Sequence, residues 1–267
     1  MTRVRLENLT KRFDRVTVVN KVSLEVMDGE FFVIVGPNGC GKTTILRLIA
    51  GLIQPDCGNV YIGDKLVNEM KPSERNVSMV FQGYALWPHM KVFDEKKYSN
   101  LSFALKIQKN LTEKIKGTVG KVADHVGIER RLFSRKPNQL SEGQKQKVAL
   151  GRAITIPPRV FLMDEPLSNL DPPSRLRVMS EIKKLHDELK TTTIYVTHNL
   201  VEAMAMADRI AVMKEGTIQQ VNTPEQVCSH PANDFVADFI QCYDYSYQLS
   251  ARKMKSNDDK STTDASH

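Results

Sequence analysis

The most informative part of the chain is the segment Gly36-Pro37-Asn38-Gly39-Cys40-Gly41-Lys42-Thr43. It follows a short and wholly apolar run, residues 31–35, which is typical of a strand buried on both faces of a parallel sheet. A helical pattern begins at about Lys42 and extends to Ala50. Glycine permits the tight backbone that a junction between strand and helix requires. The segment therefore predicts an α/β protein with a specialised turn at the carboxyl end of a buried strand.

The same residues match the pattern G-x-x-x-x-G-K-[ST], in which backbone N–H groups turn inward around phosphate oxygens. The N-terminus of the following helix adds the positive end of its dipole. Lys42 can reach the outer phosphates of a nucleoside triphosphate, and the Thr43 hydroxyl can bind Mg²⁺. An ordinary strand–turn–helix junction is the alternative, but the predicted strand and helix supply the context that a phosphate-binding loop needs.

A second apolar run, residues 160–163, ends in the acids Asp164 and Glu165. Because the carboxyl ends of parallel strands meet at one edge of a sheet, we expect both acids to lie beside the phosphate loop. Asp164 would hold Mg²⁺, directly or through water, and Glu165 would act as general base toward the attacking water. Together with the loop, this pair predicts hydrolysis of a nucleoside triphosphate.

Composition excludes several classes of protein. The chain has 267 residues, of which 41% are hydrophobic and 26% charged, as in soluble globular proteins and unlike disordered or collagenous ones. We find no apolar run near the ~18 residues of a membrane span and no signal-peptide core, and therefore expect a cytosolic chain. The four cysteines are widely spaced, which argues against a disulfide or zinc framework.

The net charge of +7 is concentrated in one segment. Residues 87–150 carry 14 Lys and Arg against 6 Asp and Glu, and the remaining residues are close to neutral. Such a segment can bind nucleic acid, lie against an anionic membrane surface, or simply be a solvated helical face. The solvated face is the simplest of these interpretations.

The patterns along the chain predict how it is organised. Residues 4–9 and 16–26 alternate apolar and polar residues and predict antiparallel strands. Residues 87–136 predict a basic helical region, which we interpret as part of a subdomain inserted at about 87–152. Residues 209–214 and 217–221 flank Glu215-Gly216 and predict a hairpin. One domain is expected over residues 1–240, with two short helices near its end, followed by a polar and disordered tail over 241–267.

Further motifs resemble those of the ATP-binding cassette (ABC) ATPases, in that family's order. They are Phe13 (the adenine-stacking aromatic), Gln82 (the Q-loop), Leu140-Ser141-Glu142-Gly143-Gln144 (the signature motif), Ser168-Asn169-Leu170-Asp171 (the D-loop) and His198 (the switch histidine). The resemblance covers about residues 4–240. It implies a P-loop NTPase (RecA-like) core with an antiparallel β subdomain and an inserted α-helical subdomain.

The resemblance also implies that the chain binds ATP and Mg²⁺ and dimerises head to tail. Each ATP would lie between the phosphate loop of one chain and the signature motif of the other. The implied nucleotide-binding residues are Phe13, Gly36 to Thr43, Thr44, Ser141, Gly143, Gln144 and Asp171. The implied metal ligands are Thr43, Gln82 and Asp164, and the implied catalytic residues are Glu165, His198 and Gln82.

Within the family, the chain resembles the ATPase subunits of carbohydrate importers of the maltose and multiple-sugar type. This implies four associations: a second ATPase subunit in a homodimer, transmembrane permease subunits, indirectly an extracytoplasmic solute-binding protein, and the cytoplasmic face of the membrane. Polyamine, sulfate and iron importers have related ATPases, so the solute stays open.

The sequence departs from the family pattern at four places. Glu142 replaces a glycine of the signature motif, and we expect its carboxylate to weaken closure over ATP without abolishing hydrolysis. Asn199 replaces the acid that commonly follows the switch histidine. Residues 95–99 look like a short insertion, read as a solvated loop. The usual C-terminal regulatory β-barrel is expected to be missing, since only a polar tail follows.

Two other functions compete with import. A soluble ABC ATPase acting on nucleic acid would explain the basic segment, but the sequence shows no second cassette and no long coiled coil, so no nucleic-acid partner is expected. An ATP-binding regulator with weak turnover would explain Glu142 and Asn199.

Overall fold

The computed structural model describes residues 2–241. Within that range the strands are β1 (Val4–Phe13), β2 (Val16–Val26), β3 (Phe31–Val35), β4 (Cys57–Ile62), β5 (Lys65–Leu66), β6 (Val77–Val80), β7 (Val160–Asp164), β8 (Thr192–Thr197), β9 (Arg209–Lys214) and β10 (Thr217–Asn222). The helices are α1 (Lys42–Ala50), α2 (Phe103–Ile107), α3 (Thr112–His125), α4 (Glu142–Ile154), α5 (Pro172–Leu189), α6 (Leu200–Met206), α7 (Pro224–Ser229) and α8 (234–241). The disordered tail is predicted to begin at residue 241, but Gln241 belongs to α8; the rest of the tail, including Cys242, lies outside the described residues.

A six-stranded sheet in the order β10-β9-β3-β8-β7-β6 forms the centre of the molecule. Its strands from β9 to β6 are parallel, and β10 pairs antiparallel with β9 as the predicted hairpin. The carboxyl ends of β3, β7 and β8 therefore lie side by side at one edge. This arrangement confirms the predicted α/β class and places the phosphate loop and the Asp164-Glu165 pair at the same edge.

Alternate residues of the central strands enter two different cores, because successive side chains of a strand point to opposite faces. Phe31 and Val33 pack with α4, α5 and α6 on one face. Phe32 and Ile34 pack with α1, β1 and β2 on the other face. All five residues of β3 are fully buried, which explains why its sequence is continuously apolar.

The antiparallel sheet predicted at the start of the chain is confirmed and has the order β2-β1-β4-β5. Its first two strands pair from Val4 opposite Val26 to Phe13 opposite Val16. The hairpin of β9 and β10 joins this sheet to the phosphate loop. The Asn20 N–H donates to the carbonyl of Gly216, and the Gly216 N–H donates to the carbonyl of Cys40. The loop is thus supported from both sheets.

The helical region leaves the central sheet after β6 and returns at β7, the neighbouring strand. The prediction of helix from residue 87 onward is wrong for its first part, since 87–102 form turns. Asn100 explains this: its Oδ1 accepts from the Trp87 N–H at 2.9 Å, and its Nδ2 donates to the Trp87, Met90 and Lys91 carbonyls. Side-chain bonds to the backbone compete with helix in this way.

The prediction of a solvated loop over residues 95–99 is confirmed for residues 95–98, which are exposed, but is wrong for Ser99, which is fully buried with its hydroxyl 2.6 Å from that of Ser102. The loop is nevertheless ordered by a lysine of α2. Lys106 Nζ donates to the carbonyls of Glu95 at 2.9 Å and Lys97 at 2.5 Å. The Asp94 carboxylate accepts from the Lys96 and Lys97 N–H groups at 3.0 and 2.9 Å.

Helix α1 is held at its C-terminus by a buried guanidinium. Arg75 is 3% exposed and donates to the Leu48, Ile49, Asn68 and Met70 carbonyls. Two of these carbonyls belong to the last turn of α1, where backbone acceptors lack helical partners. No helix within residues 2–241 is long and apolar enough to cross a membrane.

Candidate active site

The phosphate loop needs glycine at two of its positions for steric reasons. Gly41, the N-cap of α1, has φ of 109°, and a Cβ there would lie 2.5 Å from the carbonyl oxygen of Val18. A Cβ on Gly36 would lie 2.2 Å from the carbonyl oxygen of Met213. The loop can therefore approach both sheets closely only because these side chains are missing.

The Lys42 ammonium lies inside the loop and is 3% exposed. Its Nζ donates to the carbonyls of Gly36 at 2.8 Å and Pro37 at 2.9 Å. It also lies 3.8 Å from Glu165 Oε1. The loop thus holds a buried positive charge beside the carboxylate that follows β7, at a position suited to an anionic ligand.

Thr43 and Asp164 bring two oxygen ligands together at the start of α1. The Thr43 hydroxyl donates to Asp164 Oδ1 at 2.7 Å. Burial raises the pKa of Asp164, and the hydrogen bond from Thr43 opposes that shift. Mg²⁺ prefers oxygen ligands and retains waters and substrate phosphates, so one carboxylate and one hydroxyl suit it. Within residues 2–241, no group of three or more His, Cys, Asp and Glu could hold a metal ion.

Glu165 and His198 form a close pair at the ends of β7 and β8. His198 Nδ1 lies 2.9 Å from Glu165 Oε2. Glu165 has φ of 44°, a left-handed conformation that is uncommon for a residue with a side chain, and its N–H donates to the Val196 carbonyl. A strained residue at such a position points to a functional role.

The loop that carries His198 is supported by a buried carboxylate. Glu202 is 3% exposed, and its Oε2 accepts from the Tyr195 hydroxyl at 2.7 Å and the Thr197 hydroxyl at 2.8 Å. The Asn199 N–H donates to Thr197 Oγ1, and Asn199 Oδ1 caps α6 by accepting from the Val201 N–H. Asn199 therefore supplies the helix cap that an aspartate would also supply.

A cavity of about 180 Å³ lies between the loop and Glu165. The residues that line it are Val18, Gly39, Gly41, Lys42, Thr43, Thr44 and Glu165. Cys40 is buried beside them, and burial raises the pKa of its thiol. The thiol therefore stays protonated and acts as a small packing group.

The signature motif lies at a separate place. Ser141 caps α4: its Oγ accepts from the Gln144 N–H at 3.3 Å, and Gln144 Oε1 accepts from the Ser141 N–H at 3.0 Å. These residues and Gly143 line a second cavity, of about 480 Å³, between α4 and α5. Among the described residues, its lining shares no member with the cavity at the phosphate loop. One chain alone therefore does not bring the two predicted halves of the site together.

Glu142 is directed toward other residues of the helical region. Its Oε1 lies 2.6 Å from Lys145 Nζ, and this hydrogen bond lowers the pKa of Glu142. The pKa of Tyr84 is raised to about 12, first by burial and then by the neighbouring Glu142 carboxylate. The extra charge in the signature motif is thus partly compensated by Lys145.

The structure places the other predicted site residues apart from the phosphate-loop cavity. Gln82 is exposed just after β6, where its carbonyl accepts from Asn169 Nδ2 at 3.2 Å. Asp171 caps α5 by accepting from the Ser174 N–H at 3.1 Å. Phe13 is 45% exposed at the end of β1, where Lys11 Nζ lies 5.5 Å from its ring centre.

Sequence reasoning missed two groups that support the site, Glu202 and Arg152. Arg152, on α4, donates to the carbonyls of Tyr84 and Ala85, which lie 68 and 67 residues away in sequence. Backbone carbonyls leave no trace in a sequence, so no pattern could have indicated this contact. Glu202 lies four residues from His198, and its place as an acid among the apolar residues 200–206 could have drawn attention to it.

Comparison with known proteins gives a consistent result. The family described as ABC transporter matches residues 19–168. The trehalose/maltose import ATP-binding protein MalK of Thermococcus litoralis is 54% identical over 246 residues. The osmoprotective compounds uptake ATP-binding protein GgtA of Synechocystis is 54% identical over 240 residues. The matches cover 90% of this chain and 64% of each relative, so the chain spans less than two thirds of the length of these relatives.

A solved structure shares the fold. The ATP-binding cassette MJ0796, described as a dimer in a post-hydrolysis state bound to ADP and Pi, is 30% identical with a TM-score of 0.73. The alignment covers 83% of this chain and 98% of that one.

Proposed function

The chain belongs to the ABC transporter family, and from this premise we propose that it is the ATP-hydrolysing subunit of a membrane importer. The observation that carries the proposal is the cluster of Lys42, Thr43, Asp164, Glu165 and His198 at one sheet edge. It joins a buried cation, two adjacent oxygen ligands and a carboxylate beside an imidazole. These are the groups that hydrolysis of a nucleoside triphosphate requires.

We assign the phosphates of ATP to the loop of residues 36–43 and to Thr44. Lys42 supplies a positive charge to them, and the N-terminus of α1 supplies backbone N–H groups. Thr43 and Asp164 would hold Mg²⁺, with Gln82 as a further ligand. Mg²⁺, when bound, neutralises part of the phosphate charge. Phe13 is proposed to stack on the adenine ring.

Glu165 is proposed to accept the proton of the attacking water. Its carboxylate is 11% exposed, so little solvent competes for it. His198 contacts Oε2, whereas Lys42 lies near Oε1. His198 thereby orients the carboxylate. A general base contributes about 10²–10⁴-fold to the rate of such a step.

We propose that the complete site forms between two copies of the chain. Ser141, Gly143 and Gln144 would cover the ATP held by the partner chain, and Asp171 would lie at the same interface. Two observations support this: the two cavities are separate in one chain, and Ser141 stands exposed at a helix N-terminus, which favours anions.

Transport is the proposed use of this hydrolysis. The names of the relatives refer to import of trehalose or maltose and to uptake of osmoprotective compounds, so we propose a carbohydrate or a similar small polar solute. Transmembrane permease subunits would bind the chain at the cytoplasmic face of the membrane, and an extracytoplasmic solute-binding protein would deliver the solute. Within the ATPase domain of residues 1–240, the helical subdomain of about 87–152 would contact the permease.

Mixing two inactive variants tests the composite site. Lys42→Ala removes the loop cation, and Ser141→Arg blocks the signature side, so each homodimer should be inactive. A mixed dimer has one site built from the two intact halves. Random pairing should therefore restore roughly a quarter of the wild-type ATPase rate. No recovery, although crosslinking shows that mixed dimers form, would contradict the composite site.

Isolation from membranes tests the transport role. The tagged chain should co-purify with a multispanning membrane protein, and added solute-binding protein with its solute should stimulate ATP hydrolysis. Binding of RNA or DNA that weakens steeply with salt would instead favour a nucleic-acid-dependent ATPase.

A further inference from the structure

The turn that follows Gln82 has a strained backbone. Tyr84 has φ of 61° and Ala85 has φ of 48°, so two consecutive residues with side chains adopt the left-handed conformation. Residues other than glycine, asparagine and aspartate rarely adopt it, and two in succession are rarer still. Such a turn persists only where surrounding contacts hold it.

Those contacts come from Arg152, in the last turn of α4. Its Nη2 donates to the Tyr84 carbonyl at 2.9 Å, and its Nη1 donates to the Ala85 carbonyl at 2.5 Å. The guanidinium also lies 5.0 Å from the centre of the Trp87 ring. Arginine suits this position because its planar fork can donate two bonds in fixed directions.

The turn is also held at its start. Asn169, in the segment that leads to α5, donates to the Gln82 carbonyl. Gln82 is thus held on both sides. Asn169, four residues after Glu165, contacts its carbonyl, and the two residues that follow Gly83 are bonded to α4. Since Ser141 begins α4 and Arg152 lies near its end, one helix joins the signature motif to this turn.

We propose that Arg152 is a positioning residue for Gln82. Its two hydrogen bonds keep the turn of residues 83–85 in its strained form and thereby fix the backbone position from which Gln82 would reach a bound nucleotide and its metal ion. They also make the position of the Gln82 backbone depend on the position of α4. The inference rests on the proposed ATPase function and adds to it a physical link between the signature helix and the phosphate site.

The alternative is that Arg152 only stabilises the fold. Arg152→Met keeps the aliphatic stem and loses both donors, whereas Arg152→Lys keeps one flexible donor. Arg131→Met is the matched control, because Arg131 is a 71% exposed arginine of the same region that pairs with Glu129 and does not contact the turn. Thermal melting of each variant identifies any that fails to fold, in which case Arg152→Lys carries the test.

Trp87 offers a readout that does not depend on turnover, since it is the single tryptophan of the chain and lies under the Arg152 guanidinium. In a Glu165→Gln background, MgATP should shift the Trp87 emission. Arg152→Met should abolish that shift while a fluorescent ATP analogue still binds within about twofold of its original affinity. If the Glu165→Gln chain that keeps Arg152 binds nucleotide without any shift in Trp87 emission, the inference is overturned. If that chain does not bind nucleotide at all, the proposed function is contradicted instead.

A double-mutant cycle separates positioning from stability. With Glu165 intact, Arg152→Met should lower kcat about tenfold and raise the Mg²⁺ concentration for half-maximal activity about fivefold, with partial recovery in Arg152→Lys. In a Gln82→Ala background the same substitution should change kcat by less than about twofold, because the two residues act as a unit. Additive losses in the cycle would show that Arg152 acts only through the fold and would overturn the inference.

Discussion

The phosphate-loop half and the signature half of the proposed site are built in opposite ways. At the phosphate loop, Lys42 and Asp164 are each 3% exposed. Lys42 donates to the Gly36 carbonyl within its own loop and lies 3.8 Å from Glu165, and Asp164 accepts from Thr43, which is 121 positions away in sequence. At the signature motif, the Ser141 and Gln144 side chains each accept from the backbone N–H of the other residue, within a single helical turn at the surface. The first half is fixed by the core of one chain, and the second half lies at the surface, as the proposed contact with a partner requires.

This difference predicts which measured quantity each half controls. Substitutions at the phosphate loop and its neighbours should change nucleotide or metal binding and chemistry. Substitutions at the signature motif should change turnover by the dimer and leave nucleotide binding by a single chain intact. The predictions below test that separation, from the largest expected effect to the smallest.

Glu165→Gln should give the largest effect, a loss of kcat of about 10²–10⁴-fold, because the amide cannot accept the proton of water. ATP affinity should change by no more than a few fold, since Lys42 and the loop are unaltered. Steady-state hydrolysis and equilibrium binding measure the two quantities. Glu113→Gln, on the exposed first turn of α3, is the control and should be silent. More than a tenth of the wild-type kcat in Glu165→Gln would exclude Glu165 as the base.

Ser141→Ala should lower the ATPase rate about tenfold through the loss of one hydrogen bond to the partner's nucleotide. Nucleotide binding by the isolated chain should be unchanged. The substitution also removes a helix cap, at a cost of about 1 kcal/mol of folding stability. Thr223→Ala removes the cap hydrogen bond of α7, at a residue that lines neither cavity, and controls for that loss. A parallel fall in ATP affinity would break the distinction between the two halves.

Glu142→Gly should raise the ATPase rate by about two- to fivefold, because it removes a carboxylate from the surface that we propose closes over a triphosphate. The gain is modest since Lys145 already compensates part of the charge. Glu142→Gln separates charge from backbone flexibility and should show most of the gain. An unchanged rate in both variants would count against a role for the carboxylate in closure.

Asp164→Asn should raise the Mg²⁺ concentration for half-maximal activity a few fold and yet raise Tm by about 2–4 °C at pH 7.5. Burial raises the pKa of Asp164 in the folded state, so folding is favoured when this group is protonated. The free energy of unfolding therefore falls as pH rises from the pKa of Asp164 in the unfolded chain to its pKa in the folded chain. The asparagine side chain of the variant does not ionise, so the variant does not lose this stability. The Tm difference should vanish at low pH. Asp64→Asn, at a 94% exposed side chain, should show none of it.

Much of the fold could be predicted because its signals are local. The continuous apolar runs of β3 and β7, the alternation in β1 and β2, and the Glu215-Gly216 hairpin each depend on neighbours in sequence. Because the carboxyl ends of parallel strands meet at one edge of a sheet, Asp164 and Glu165 were predicted to lie beside the phosphate loop, and they do. The roles of these residues remain predictions, and His198 was assigned through the family resemblance.

The remaining contacts could not be predicted, since they join side chains to backbone groups far along the chain. Arg152 and Arg75 bind carbonyl oxygens, which every residue carries and which no sequence distinguishes. The prediction of helix over residues 87–102 was wrong for a related reason. The Asn100 amide competes with helical hydrogen bonding, and this contact could not be read from the composition that made the segment look helical. Tertiary contacts override local propensity at such places.

The guanidinium of Arg75 has one more consequence. It ties the last turn of α1 to the segment that precedes β6, while the first turn of the same helix carries Lys42 and Thr43. A helix anchored at both ends opens rarely, so its amides should exchange with solvent deuterium more slowly than those of α4. Helix α1 would then keep its position in the core while other parts of each subunit move, if two copies associate and dissociate as proposed.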